Sequence, residues 1–81
     1  NYSKIVCVPN PTSGYFSIIN KSLVGKSNIM IYDINGRLCK VFVDQTLANQ
    51  FNISDLISGT YIIKVVTAEG ILQGRLVKIG Y

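Results

Sequence analysis

The sequence has no histidine and only four carboxylates, Asp33, Asp44, Asp55 and Glu69. Chemistry near neutral pH needs a group that titrates there, or a nucleophile with a base beside it. Each of these acids falls at or next to a turn-forming segment, where Asp and Glu ordinarily bond local backbone or face water. The two cysteines, Cys7 and Cys39, have no base to activate them as nucleophiles. Without histidine or a third cysteine, a zinc site has almost no ligands to draw on. No alternating run of acids suggests a calcium loop. The sequence therefore reads as a non-enzyme, with no cofactor and no metal.

Long apolar runs are also missing. None approaches the ~20 residues that span a bilayer, and no basic-then-apolar signal segment opens the chain, so no membrane insertion is expected. The first residue is Asn1, not Met, which reads as a fragment of a longer precursor. Charged residues make up only 15% of the 81 residues, and eight Lys and Arg against four acids give a net charge of +4. The basic residues are spread along the whole sequence, whereas nucleic-acid binders concentrate them on a stripe. The charge is read as a solvated surface, with no nucleic-acid partner expected.

What is abundant is apolar: hydrophobic residues make up 48% of the chain, which excludes intrinsic disorder. At this length one domain, residues 1–81, is expected. It would bury only ~60–65% of its unfolded surface, leaving few apolar residues over for a deep pocket. Cys7 and Cys39 both sit inside apolar runs and read as small buried hydrophobes; a disulfide between them is the alternative if the chain passes an oxidising compartment.

Short apolar segments alternate with turn chemistry at roughly the 8–12-residue spacing of a sandwich or barrel. Strands are predicted at Ile5–Val8, Tyr15–Ile19, Asn28–Asp33, Leu38–Val43, Gln50–Ile53, Thr60–Thr67 and Ile71–Ile79. Pro9-Asn10-Pro11-Thr12-Ser13-Gly14 ends the first sharply, with Gly14 tolerating positive φ. Asn35-Gly36 between the third and fourth is the strongest short hairpin signal. Ser54 or Asp55 is expected to cap a single helical turn that Gly59 closes in a left-handed conformation. β-branched enrichment and the absence of any helical period make the fold class all-β. Leu56-Ile57-Ser58-Gly59-Thr60-Tyr61 has the form of the tyrosine corner of immunoglobulin-like sandwiches. Leu56 would plug one end of the core, and the Tyr61 hydroxyl would bond back to upstream backbone. The expected architecture is thus an immunoglobulin-like antiparallel β-sandwich of about seven strands.

Four segments carry a resemblance. They are Val8-Pro9-Asn10-Pro11-Thr12-Ser13-Gly14-Tyr15-Phe16, the hairpin Ile29 to Leu38 with Asp33, Gly36 and Arg37, the corner Asp55 to Val65, and Arg75-Leu76-Val77-Lys78. In this order and spacing they resemble the type A C-terminal sorting domains of the type IX secretion system of Bacteroidetes. Arg75 stands where that family usually has Lys, and Ile79-Gly80-Tyr81 follows where many members stop. The resemblance implies a non-catalytic tail on an upstream cargo that crosses the periplasm and reaches the cell surface or medium. It implies as partners a type IX translocon, an outer-membrane shuttle protein, and a sortase-like peptidase that removes the tail. Lys64, Arg75, Leu76, Val77 and Lys78 are the expected recognition residues, with the alternative that Leu76 and Val77 only fill the core. Pro9, Asn10, Pro11, Gly14, Asp33, Gly36, Arg37, Asp55, Leu56, Gly59 and Tyr61 are the expected turn and shape residues. The alternative is a surface adhesion or carbohydrate-binding module of the same fold, built on aromatics such as Tyr15 and Tyr32.

Overall fold

A computed structural model describes residues 3–19, 25–46 and 49–80. Eight strand segments follow in order: β1 (Ser3–Lys4), β2 (Val6–Val8), β3 (Tyr15–Ile19), β4 (Lys26–Asp33), β5 (Leu38–Thr46), β6 (Gln50–Asn52), β7 (Gly59–Thr67) and β8 (Gly70–Lys78). They form a five-stranded sheet, β1-β8-β7-β4-β5, and a three-stranded sheet, β2-β3-β6. All pairings are antiparallel except β1 with β8, which run parallel. This is the expected immunoglobulin-like sandwich, with the first predicted strand reduced to β2 and an unpredicted short strand, β1, just before it joining the opposite sheet.

The core lies between the sheets and follows the period of two that a pleated strand imposes. Cys7, Phe16, Ile18 and Phe51 face inward from the small sheet. Ile29, Ile31, Tyr61, Ile63, Val65 and Leu76 face them from the large one. Fully burying an aliphatic or aromatic side chain of this size contributes about 1.5–3 kcal/mol. Phe51 joins the sheets, its ring 5.6 Å from that of Phe16 in β3 and 5.2 Å from that of Phe42 in β5. Cys7 is buried and Cys39 half-buried, both as free thiols.

Ile5, between β1 and β2, is buried between the sheets while its amide still donates to Gln73 O at 3.1 Å. Gly74 makes this possible. A Cβ at residue 74 would lie 2.7 Å from Ile5 Cγ1 and 2.9 Å from Ile5 O, so only glycine lets β1 cross there.

Three local expectations need correction. No helical turn forms at residues 54–59. The Asn52 side chain accepts from Ser54 N at 2.9 Å, and Leu56 N bonds Ile53 O at 2.9 Å, closing a β-turn instead. Gly59 opens β7 with a nearly extended φ of 158°, so it caps nothing. Gly14 does not have positive φ; it is buried, and its carbonyl accepts from Ile53 N at 2.7 Å. β4 and β5 also run further than predicted, to Lys26 and Thr46. Asp44, at φ 60°, donates its amide to Asn28 Oδ1 at 2.9 Å, so the ladder continues past an irregular step.

Candidate recognition surface

The last strand, β8, is bonded along both edges, and the Pro9 to Gly14 segment supplies part of the second. Both prolines follow cis bonds, Val8–Pro9 and Asn10–Pro11. The loop lies along the edge of β8 that β1 leaves open. Asn10 Nδ2 donates to Arg75 O at 3.0 Å, and Val77 N donates to Asn10 Oδ1 at 2.9 Å. One side-chain amide thus stands in for a peptide group of a neighbouring strand. Thr12 continues the seal: its amide donates to Val77 O at 2.8 Å, and its carbonyl accepts from Ile79 N at 2.9 Å. Buried backbone groups demand partners, and an open strand edge invites pairing with other chains. The Pro9-Asn10-Pro11-Thr12 run answers both demands.

The other shape residues hold the two ends. In the β4–β5 hairpin, Asp33 Oδ1 accepts from Asn35 N at 2.9 Å and Arg37 N at 3.0 Å, while Arg37 Nε lies 3.4 Å from Oδ2. Gly36 alone in this turn has positive φ, 85°. The loop is therefore a type I turn with a glycine bulge, not the two-residue turn that Asn-Gly favours. At the corner, Tyr61 donates its hydroxyl to Ile57 O at 2.6 Å, as predicted, and half-buried Leu56 packs against the core. Asp55 accepts from Lys40 Nζ at 2.7 and 2.9 Å. That hydrogen bond first, and the Lys40 and Lys78 charges more weakly, lower its carboxyl below the usual value despite its exposure.

The five expected recognition residues separate into two sets. Alternation along β8 turns Leu76 and Lys78 into the sandwich, where both are buried, and turns Arg75 and Val77 outward. Lys64 in β7 also faces outward, its Nζ 5.1 Å from the centre of the Tyr32 ring. Arg75 to Lys78 is therefore not one continuous surface, a division that the period-two rule could have given from the sequence.

Register shows what surrounds the outward set. Lys4, Gln73, Lys64, Met30 and Val41 are cross-strand partners in one row over all five strands. Arg75, Ile62, Tyr32 and Leu38 form the next row. Between and beside them lie two shallow depressions. One, of about 510 Å³, is lined by Lys4, Ile62, Gln73 and Arg75 among others. The second, of about 330 Å³, shares Ile62 and Gln73 and adds Tyr32 and Lys64. Lys4, Gln73 and Ile62 were not anticipated; Lys4 joins this face only because β1 pairs with β8.

The opposite outer face, on the small sheet, has exposed Val6, Val8, Tyr15 and Ile19 and no charged residue in its strands. Exposed Tyr15 lies there, Tyr32 lies beneath Lys64, and Tyr61 is buried, so these aromatics do not converge in one loop. Among the described residues there is no group of three or more His, Cys, Asp or Glu placed to hold a metal ion. No helix among them is long and apolar enough to cross a membrane.

A comparison with curated proteins finds no match. The family model for the secretion system C-terminal sorting domain matches residues 7–79. The match runs from the buried cysteine of β2 through the sealed edge, hairpin and tyrosine corner to the end of β8, and the chain belongs to that family, the sorting signals of the type IX system.

Proposed function

We propose that this sandwich is the address by which the type IX translocon and an outer-membrane shuttle recognise an upstream cargo in the periplasm. A sortase-like peptidase then removes the tail at the surface. The reading rests chiefly on where the shared motifs go. The Pro9-Asn10-Pro11 loop, the corner and the closing Arg75 to Lys78 segment all converge on β8, shaping one strand and its surroundings. Residues of this kind define a contour and carry no chemistry, consistent with a domain that has no activity of its own. Arg75, Val77 and Lys64 present the surface. Leu76 and Lys78 act from inside by fixing the position of β8.

A fusion tests this. The domain is joined to a reporter that carries an N-terminal signal peptide and is expressed in a type IX-competent cell. The intact fusion is expected at the surface or in the medium, and the fusion lacking residues 75–81 is expected to stay in the periplasm. Periplasmic retention of the intact fusion overturns the proposal.

A further inference from the structure

We infer that the outer face of the five-stranded sheet, centred on Lys4, Gln73, Lys64 and Arg75, docks an acidic protein surface. This deepens the proposed function and rests on it, since that partner would be a component of the export machinery.

The argument begins with how charge is distributed. Three of the four carboxylates form ion pairs, and all three pairs involve β4, β5 or the turn between them: Lys26–Asp44, Arg37–Asp33 and Lys40–Asp55. Asp33 borders the second depression, but its oxygens are held by the Asn35 and Arg37 amides and the Arg37 guanidinium. The fourth acid, Glu69, lies in the β7–β8 turn. Among the described residues, Lys4, Lys64 and Arg75 make no ion pair. The β1–β8–β7 part of the face is thus positive, and the acid that borders it, Asp33, is already engaged by Arg37.

Geometry then groups these charges. Lys4 and Lys64 flank Gln73 in one row. Neighbouring strands lie ~4.8 Å apart, so their Cβ atoms are separated by about 10 Å. Arg75 stands one step along β8 on the same side, opposite Ile62. Gln73 offers a donor and an acceptor at the centre, and half-buried Ile62, Val66 and Val77 supply apolar ground around it. An apolar centre with arginine and lysine about it is the composition of a protein-docking patch. The cations would meet carboxylates across the interface and speed encounter.

The same reporter fusion provides the test. K4Q/K64Q/R75Q should lower surface delivery more than about tenfold, the loss expected for ~1.4 kcal/mol or more of binding. K4R/K64R/R75K should retain it. V6E/Q50E, which also lowers the overall charge but on exposed, non-neighbouring strands of the opposite sheet, should leave delivery unchanged. Purified K4Q/K64Q/R75Q should melt within a few degrees of the unmodified domain, because no replaced side chain is in the core. Delivery of the K4Q/K64Q/R75Q fusion at the unmodified level overturns this inference alone, whereas retention of the unmodified fusion overturns the proposed function and this inference with it. Sedimentation of the purified domain with phosphatidylglycerol vesicles, but not phosphatidylcholine vesicles, would assign the face to anionic lipid and overturn the protein partner. No sedimentation with either is expected.

Discussion

Ile5 occupies the space that a side chain on Gly74 would fill, with Cγ1 2.7 Å and its carbonyl oxygen 2.9 Å from where that Cβ would stand. One of the two atoms is backbone, so the conflict cannot be relieved by a rotamer change. Gly74→Ala should therefore destabilise the domain by about 1–3 kcal/mol, the usual cost of overpacking, read from denaturant melts. Gly74→Val should cost more. Trimming the neighbour, as in Ile5→Ala/Gly74→Ala, should recover only part of the loss. Full additivity of the two single changes would show that the residues do not touch.

Removing the side-chain amide that seals β8 should loosen one spot without unfolding the sandwich. Asn10→Ala leaves Arg75 O and Val77 N to water and should cost about 0.5–1.5 kcal/mol. Hydrogen exchange at the Val77 amide should accelerate. Asn10→Asp keeps the acceptor for Val77 N and loses the donor to Arg75 O, so protection of that amide should survive. Equal exchange in all three proteins would refute the seal.

The corner gives a cleaner deletion. Tyr61→Phe removes only the hydroxyl that bonds Ile57 O at 2.6 Å and keeps the ring in the core. A loss of about 1 kcal/mol is expected, together with faster exchange at residues 57–59. Unchanged stability would reduce Tyr61 to a packing aromatic.

Alkaline pH should weaken the fold through Cys7. Burial pushes its thiol up from 9.0 to about 11. Between those values the unfolded chain releases a proton that the folded chain retains, so the unfolded state binds fewer protons and stability falls as pH rises. The contribution is intact below pH 9 and is lost progressively toward pH 11. The Tyr61 hydroxyl, also raised chiefly by burial, acts in the same direction from about pH 10 upward. Cys7→Ala should lower stability at neutral pH and flatten its decline across the Cys7 window. A parallel decline in both proteins would contradict this assignment.

Much of the sandwich was legible because its signals are local. Alternation located every strand but β1, Gly-Thr-Tyr located the corner, and Asn-Gly located the hairpin. What escaped depends on partners distant in sequence. The Asn10 side chain completes a ladder with residues 65 and 67 positions away. Gly74 looks like an ordinary strand residue until Ile5 is set against it. Asp44 in the left-handed region reads as the end of a strand unless Asn28 is there to receive its amide. Of the expected recognition residues, Leu76 and Lys78 were grouped with Arg75 and Val77 by adjacency, although a strand sends neighbours to opposite sides. Lys4 reached the same face by the β1–β8 pairing, which no local pattern announces.

The parallel pairing of β1 with β8 has a mechanical consequence. Chain entering through β1 and chain leaving through β8 depart toward opposite poles of the same sheet edge. Tension between them runs along the strands. The bonds of Ser3 and Lys4 with β8, of Ile5 with Gln73, and of Asn10 and Thr12 with residues 75–79 are then strained together, in shear. Bonds loaded at once resist far better than bonds peeled one after another, so a tail built this way can be towed by its cargo without coming apart.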